Sequence, residues 1–147
     1  MHNSRPILLV EDDIVDAITV KRALGDLKIT NPLVHASDGE EALKYLKTRG
    51  NEKPCIILLD LNMPKMNGIE FLKVIKTDAD LKTIPVIVLT TSKEKRDVIE
   101  SFELGAAGYM VKPTDYENFV EILGKVLLYW YASESPIEEI LLLNTKR

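Results

Sequence analysis

The chain has 147 residues, of which 46% are hydrophobic and 29% are charged, a composition typical of one soluble domain with a proper core. The net charge of −4 provides no basic surface for nucleic acid, so we predict no direct DNA binding. A single cysteine excludes an internal disulfide, and no apolar stretch is long enough to span a membrane, so we expect a cytoplasmic protein.

Short apolar runs predict five β-strands, and the segments that follow them carry apolar residues at helical spacing. The predicted strands comprise residues 7–10, 33–36, 55–59, 85–89 and 109–111. The fourth helix is indicated by Val98, Phe102 and Leu104 and is expected to stop at Gly105. The core face of the last helix spans residues 119–130. Residues 63–68 (MPKMNG) predict a loop, because proline, asparagine and glycine favour turns.

The first, third and fourth predicted strands are nearly continuous apolar runs. Strands of this kind are covered on both faces, which indicates a parallel sheet with helices on either side. We therefore predict an α/β fold with a five-stranded parallel sheet, doubly wound as five strand–helix repeats. Residues 1–131 are expected to form one domain, and residues 132–147 a tail that is helical or dimer-forming.

Polar side chains follow four of the five predicted strands. The carboxyl ends of parallel strands meet at one edge of the sheet, and ligands bind there near a switch point in strand order. We therefore expect carboxylates from two strands, together with hydroxyls and an ammonium group, to converge at this edge. The residues concerned are Glu11, Asp12, Asp13, Asp60, Thr90, Thr91 and Lys112.

This set of side chains suits phosphoryl chemistry. Clustered carboxylates repel one another, and Mg²⁺ relieves that repulsion because it prefers oxygen ligands, with few protein carboxylates and a phosphate. A carboxylate beside the ion is a nucleophile that can form an acyl phosphate. A lysine and a hydroxyl then stabilise the charge on the phosphoryl oxygens. The pattern therefore predicts a Mg²⁺-dependent phospho-acceptor site.

Each of these residues, taken alone, has a simpler explanation. The acidic residues 11–13 favour the N-terminus of the first helix, and Asp60 suits a turn before Pro64. A threonine at 90 or 91 suits a helix cap, and Lys112 suits a surface position. Only their joint placement after four different strands argues for a shared site.

The sequence resembles response-regulator receiver domains, which have a flavodoxin-like fold, from about residue 6 to residue 131. The segments ILLVEDD, ILLDLNMPKMNG, PVIVLTT and GAAGYMVKP carry the resemblance. It implies that Asp60 is the phosphorylated residue. It also implies that Mg²⁺ (or Mn²⁺) is held by Glu11, Asp12, Asp60 and the main-chain carbonyl of Asn62.

The same resemblance implies roles for the residues around the phosphoryl group. Thr90 is the expected switch hydroxyl, Lys112 the expected phosphoryl-binding cation, and Tyr109 the aromatic residue expected to turn inward on activation. The bond from Lys112 to Pro113 is expected to be cis, which is an uncommon state. Access to the site or the phosphoryl lifetime is expected to depend on Thr91, Ser92 and Asn62.

The resemblance also implies a sensor histidine kinase or a phosphotransfer protein as the phosphoryl donor. Residues 78–85 (DADLKTIP) and the segment LLYWYASESP resemble stand-alone regulators associated with bacterial phytochromes, which implies a phytochrome-type kinase. Leu128, Tyr129 and Tyr131 have no evident place in the core, and such apolar surface is rarely left uncovered. We expect either a homodimer through the last helix and tail, or a tail that folds back on its own domain.

Three other functions are compatible with parts of the sequence. A phosphohydrolase of the haloacid-dehalogenase type also forms an aspartyl phosphate, but it needs a second aspartate where Asn62 stands. A flavodoxin-like binding module needs a phosphate loop after the first strand, where this chain has the acidic EDDIVD. A phosphorylation-independent scaffold of the same fold is argued against only by the completeness of the site. We therefore expect a signalling switch whose only catalysis is its own phosphorylation and dephosphorylation.

Overall fold

The structure is a computed structural model, and it describes residues 4–132. Five strands alternate with five helices along the chain. The strands are β1 (Ile7–Val10), β2 (Leu33–Ala36), β3 (Ile56–Leu59), β4 (Val86–Thr90) and β5 (Gly108–Val111). The helices are α1 (Ile14–Asp26), α2 (Gly39–Lys47), α3 (Gly68–Thr77), α4 (Lys95–Glu103) and α5 (Tyr116–Ala132).

The strands form one parallel sheet in the order β2-β1-β3-β4-β5. Alternate residues of each strand point to opposite faces, and this alternation divides the core into two parts. Leu8 and Leu59 lie in the cluster that packs against α2 and α3. Leu9 and Leu58 lie in the cluster that packs against α1 and α5. The predicted doubly wound α/β fold is confirmed.

The boundaries of three strands differ by one residue from the prediction, and one of them is β5, which begins at Gly108 rather than at residue 109. β3 begins at Ile56 rather than at residue 55. β4 begins at Val86, after Pro85, and extends to Thr90. Proline has no N–H to donate to a ladder, which explains the later start of β4. Thr90 is therefore the last residue of its strand, and its main chain is fixed by pairing with Val111.

The fourth helix packs less completely than its sequence indicated. Ser101 is the buried residue of α4, whereas Ile99 and Phe102 are exposed. Phe102 does not mark a buried face, because it turns to solvent while Leu104, at the C-cap, packs against the core. Hydrophobic residues are common on protein surfaces, so spacing alone does not reveal which of them are buried.

The sheet order reverses direction between β1 and β3. The connection from β1 leads to β2 on one side, and the chain then returns to place β3 on the other side of β1. The crevice outside the carboxyl ends of such a strand pair is where open α/β sheets bind ligands. In this chain, that crevice lies between Glu11 and Asp60, the residues that follow β1 and β3.

The last helix carries apolar side chains on two sides. Phe119, Leu123 and Leu127 are buried against the sheet, whereas Leu128 and Tyr129 are each 65% exposed. Within the described range, no helix is both long enough and apolar enough to cross a membrane. Apart from Ala132, the predicted tail of residues 132–147 lies outside the described residues.

Candidate functional site

Three carboxylates converge at the crevice between β1 and β3. One carboxylate oxygen from each of Glu11, Asp12 and Asp60 lies within 4.8 Å of the other two. Main-chain hydrogen bonds fix this arrangement, because the amide of Asp60 donates to the Val10 carbonyl over 3.0 Å. Glu11 and Asp60 are buried, with exposed fractions of 1% and 7%, whereas Asp12 faces solvent. The group resembles an oxygen-ligand cation site that is open on one side.

The main chain behind Asp60 is held close to the start of α3. A Cβ atom on Gly68 would lie 2.4 Å from the carbonyl oxygen of Asp60 and 2.6 Å from Cα of Leu61. Only glycine fits such an approach, and its amide donates to the Leu61 carbonyl over 3.0 Å. The helix itself begins with a capping box between Asn67 and Glu70. The aspartate is thus supported by a rigid turn and helix start.

The buried carboxyl of Glu11 has an unusual protonation equilibrium. Its pKa is raised from 4.5 to about 7, chiefly by burial and also by the negative charge of Asp60, although the hydrogen bond from Lys112 acts in the opposite direction. Like charges in a poorly solvated site favour the neutral acid. A bound cation would offset the repulsion between these carboxylates, so the electrostatics agree with a site that takes a divalent metal.

The ammonium group of Lys112 contacts carboxylates on two elements. It donates to Glu11 and, over 2.9 Å, to Asp16 of α1. Burial lowers the lysine pKa, but the hydrogen bonds to both carboxylates outweigh that effect and raise it. The amide of Lys112 also donates to the Thr90 carbonyl over 2.8 Å. The lysine ammonium therefore lies beside the acidic group, as the position of Lys112 after β5 predicts.

Ser92 connects two of the predicted switch residues. Its amide donates weakly to the Thr90 hydroxyl oxygen over 3.4 Å, and its carbonyl accepts from the Tyr109 hydroxyl over 3.0 Å. The Ser92 hydroxyl donates to the carboxylate of Asp97 in α4 over 2.5 Å. Thr90 is fully buried, while burial raises the pKa of the half-buried Tyr109. Thr91 is exposed and lines a cavity of about 450 Å³ beside Lys112.

The predicted cis bond between Lys112 and Pro113 is wrong for this structure. No peptide bond among residues 4–132 is cis, so the bond is trans. The trans form is favoured by about 0.5–1 kcal/mol for a bond that precedes proline, and the cis form needs surrounding contacts to override that preference.

Sequence reasoning missed three residues that support the site. Asp16 binds Lys112, Gly68 allows the close approach to Asp60, and a ring nitrogen of His35 lies 2.6 Å from the carbonyl oxygen of Glu11. Of the three, Gly68 had a usable signal, since it closes a proline- and asparagine-containing loop. Asn62 lies exposed two residues after Asp60, and its role as a metal ligand stays a prediction.

A family model for the response regulator receiver domain matches residues 7–124. This chain belongs to that family. The receiver is 39% identical over 128 residues to response regulator Rcp1 of Synechocystis sp., with 84% of this chain and 87% of that protein covered. It is 36% identical over 127 residues to the probable methanogenesis regulatory protein FilR2 of Methanothrix harundinacea, with 84% and 82% covered.

Solved structures of similar receivers have the same fold. The phosphorylated cyanobacterial phytochrome response regulator RcpA matches with a TM-score of 0.85 at 34% identity, with 91% of this chain and 99% of that chain covered. The Mn²⁺-bound form of Rcp1 matches with a TM-score of 0.82 at 37% identity, with 90% and 99% covered. The chain is therefore a phospho-acceptor signalling receiver, of a family that binds Mg²⁺ or Mn²⁺ and interacts with histidine kinases.

Proposed function

We propose that Asp60 is the residue that takes the phosphoryl group, and that the donor is the phosphohistidine of a sensor histidine kinase or phosphotransfer protein. The convergence of three carboxylates at the β1–β3 crevice supports this assignment more than any other observation. Among them, Asp60 lies at the centre of the sheet, with its main chain held on both sides. A rigid main chain keeps a nucleophile oriented for in-line attack on the incoming group.

The transfer balances with the residues of this site. An Asp60 carboxylate oxygen attacks phosphorus, a P–O bond forms, and the P–N bond to the donor imidazole breaks. The imidazole leaves with the bonding electron pair and is neutral once it carries one proton. The Lys112 ammonium and the Thr90 hydroxyl are suited to bind the new phosphoryl oxygens, because both are donors at the same edge of the sheet.

The residues present fit a hard divalent cation. We assign Glu11, Asp12, Asp60 and the Asn62 main-chain carbonyl as its ligands, since oxygen donors with few carboxylates suit Mg²⁺ and Mn²⁺. When bound, the cation neutralises charge on the phosphoryl oxygens. The high pKa of Glu11 fits this assignment, because two buried carboxylates without a cation favour a proton on one of them.

Phosphorylation is expected to shift a population of two loop arrangements. In the present arrangement, the Thr90 hydroxyl oxygen accepts from the Ser92 amide, and the Tyr109 hydroxyl donates to the Ser92 carbonyl. A phosphoryl group would offer Thr90 a stronger acceptor, and Tyr109 would turn inward. Thr91 is assigned to access, and Asn62 and Ser92 to the lifetime of the phosphoryl group. The output is altered partner binding or dimerisation.

The kinase partner is proposed to be of the phytochrome type. Rcp1 and RcpA support this proposal, because both are more than 30% identical to this chain. RcpA is described as a cyanobacterial phytochrome response regulator. A homodimer through α5 and the tail is proposed as well, because Leu128 and Tyr129 leave apolar surface on that helix. Light scattering over a concentration series tests the dimer, and a monomer at every concentration contradicts it.

Intact-mass spectrometry after incubation with phosphoramidate or acetyl phosphate tests the acceptor. We expect the wild type to gain one phosphoryl group only when Mg²⁺ is present, and Asp60→Asn to gain none. Asp38→Asn is the matched control, because Asp38 is also 7% exposed but caps α2. A phosphoryl gain that persists in Asp60→Asn, or one that is lost in Asp38→Asn, contradicts the assignment. If small donors fail, phosphorylation by a histidine kinase is the decisive measurement, because Thr91 is expected to restrict access.

An assay for hydrolysis of a phosphomonoester tests the alternative that the protein is a phosphohydrolase. We expect none, because the position two residues after Asp60 holds Asn62, whose amide is no acid–base catalyst. A scaffold that acts without phosphorylation would show no mass gain with any donor, including a histidine kinase.

A further inference from the structure

The carbonyl group of Glu11 has a partner outside its own strand. Nε2 of His35, on the edge strand β2, lies 2.6 Å from this oxygen. A carbonyl oxygen only accepts hydrogen bonds, so the ring nitrogen must carry the proton and donate it. The amide of Glu11 donates in turn to the Ala36 carbonyl over 2.9 Å. Both polar main-chain groups of Glu11 are therefore held by the end of β2.

This contact determines the orientation of one peptide unit. The carbonyl of Glu11 and the amide of Asp12 belong to the same planar group. That plane joins the two acidic residues that face Asp60 across the crevice. Rotation of the plane would move both carboxylates together, and the His35 bond resists such rotation. Because Glu11 is buried, water has little access to its carbonyl oxygen and is a poor replacement for His35 as the hydrogen-bond donor.

We propose that His35 is a positioning residue, whose Nε2–H holds the peptide between Glu11 and Asp12 and so preorganises the carboxylates for the divalent cation. It acts through the main chain and touches neither the cation nor the phosphoryl group. The inference rests on the metal site of the proposed function but not on phosphorylation of Asp60. Outer hydrogen bonds that orient metal ligands typically change metal affinity by 10–100-fold. A main-chain contact one step further away is expected to give about tenfold, the lower limit.

The test is the Mn²⁺ affinity of the unphosphorylated protein, measured as free ion by electron paramagnetic resonance at pH 8. His35→Leu removes the donor and replaces the ring by an apolar side chain of similar size, whereas His35→Gln keeps an N–H at about the same distance from the backbone. We expect the leucine variant to bind Mn²⁺ about tenfold more weakly and the glutamine variant to bind within about twofold of the wild type. Recovery by glutamine separates donation of a hydrogen bond from the mere presence of a ring.

Val34→Ala is the matched control. Val34 precedes His35 on the same edge strand and packs against the core, so its truncation weakens the strand without removing a bond to Glu11. We expect this variant to lose thermal stability and keep its Mn²⁺ affinity. Equal weakening of binding in Val34→Ala and His35→Leu would overturn the proposal, because general loosening of β2 would then explain both.

Two further results would overturn it. The first is wild-type affinity in a folded His35→Leu protein, and the second is a wild type that binds no Mn²⁺. If the leucine variant does not fold, nitrogen-15 spectra of the wild type decide instead. We expect the neutral His35 ring to carry its proton on Nε2, and a proton on Nδ1 would contradict the proposed bond. Mn²⁺ binding that depends on His35, in a protein that never takes a phosphoryl group, would support this inference and refute the proposed function.

Discussion

The centre of the sheet and the α4 side of the molecule are built differently. β1 and β3 are buried along their whole length and hold Glu11 and Asp60 at their ends. On α4, by contrast, Ser101 is the buried residue, and the N-cap Glu94 makes no side-chain capping bond. Chemistry that needs fixed distances therefore lies on the rigid part. The proposed change in shape involves elements with few buried contacts, where local opening costs little.

The two regions meet at Thr90 and Ser92. Thr90 ends a fully buried strand, and Ser92 begins the polar connection that leads to α4. Tyr109 reaches the same place from the half-buried edge strand β5. A phosphoryl group at the rigid edge can bias the loosely packed side through this junction. The two regions should therefore respond differently to substitution.

Truncation of the core gives the largest expected contrast. Leu58→Ala should cost about 2–5 kcal/mol of unfolding free energy, because Leu58 is fully buried and its removal leaves a cavity. Phe102→Ala on α4 should change it by less than about 0.5 kcal/mol, since Phe102 is 48% exposed. Urea denaturation of both variants measures the difference. Similar losses would mean that α4 is packed as tightly as β3 and that the two regions do not differ in rigidity.

A methyl group at the start of α3 is expected to have the next largest effect. Gly68→Ala places a Cβ atom 2.4 Å from the Asp60 carbonyl oxygen, and overpacking of this kind costs about 1–3 kcal/mol. Gly25→Ala in α1 is the control, because a Cβ there meets nothing within 4 Å. That change should stabilise by about 0.4–1 kcal/mol, since alanine favours helix and glycine loses more entropy on folding. Thermal unfolding of the two variants should therefore shift in opposite directions.

Much of the fold and the acidic site was predictable from sequence. Runs such as ILLV and IILL are long enough and apolar enough to predict buried parallel strands, and the topology rule then brings Glu11 and Asp60 to one edge. The exposure of Phe102, the trans state before Pro113 and the Lys112–Asp16 contact were not predictable. Each depends on how side chains or a nearly balanced peptide bond adapt to neighbours distant in sequence, which periodicity does not report.

The pH dependence of metal binding tests the electrostatics of the rigid edge. Burial raises the Glu11 pKa to about 7, so below that pH a proton competes with Mg²⁺ for the carboxylate. Affinity should rise by up to about tenfold per pH unit as the pH approaches 7 from below, and level off above it. In the metal-free protein, the native state holds this proton between pH 4.5 and about 7, so the contribution of Glu11 to stability falls as the pH rises through that window.

Calorimetric titration with Mg²⁺ between pH 5.5 and 8.5 measures the first effect, with Glu11→Gln as the control. The glutamine cannot titrate, so its weaker affinity should vary less with pH across the window. The neighbouring charges that act on Glu11 are Lys112 and Asp60, and both are unchanged in that variant. A wild-type affinity that is independent of pH between 6 and 8 would contradict the raised pKa.

The smallest expected effect concerns the polar contact that starts α4. The Ser92 hydroxyl accepts from the Glu94 amide over 3.3 Å and donates to Asp97 over 2.5 Å, so it stands in for the missing N-cap bond. Ser92→Ala should lower the local opening free energy of the first turn by about 1 kcal/mol, which corresponds to roughly fivefold faster amide exchange at residues 95–98. Hydrogen exchange followed by NMR measures this directly.

Amides of β3 serve as the internal reference, because their exchange requires opening of the buried sheet. Faster exchange in β3 as well would mean that the α4 side and the centre of the sheet open as one unit, and a switch confined to the α4 side would then have no separate element to act on.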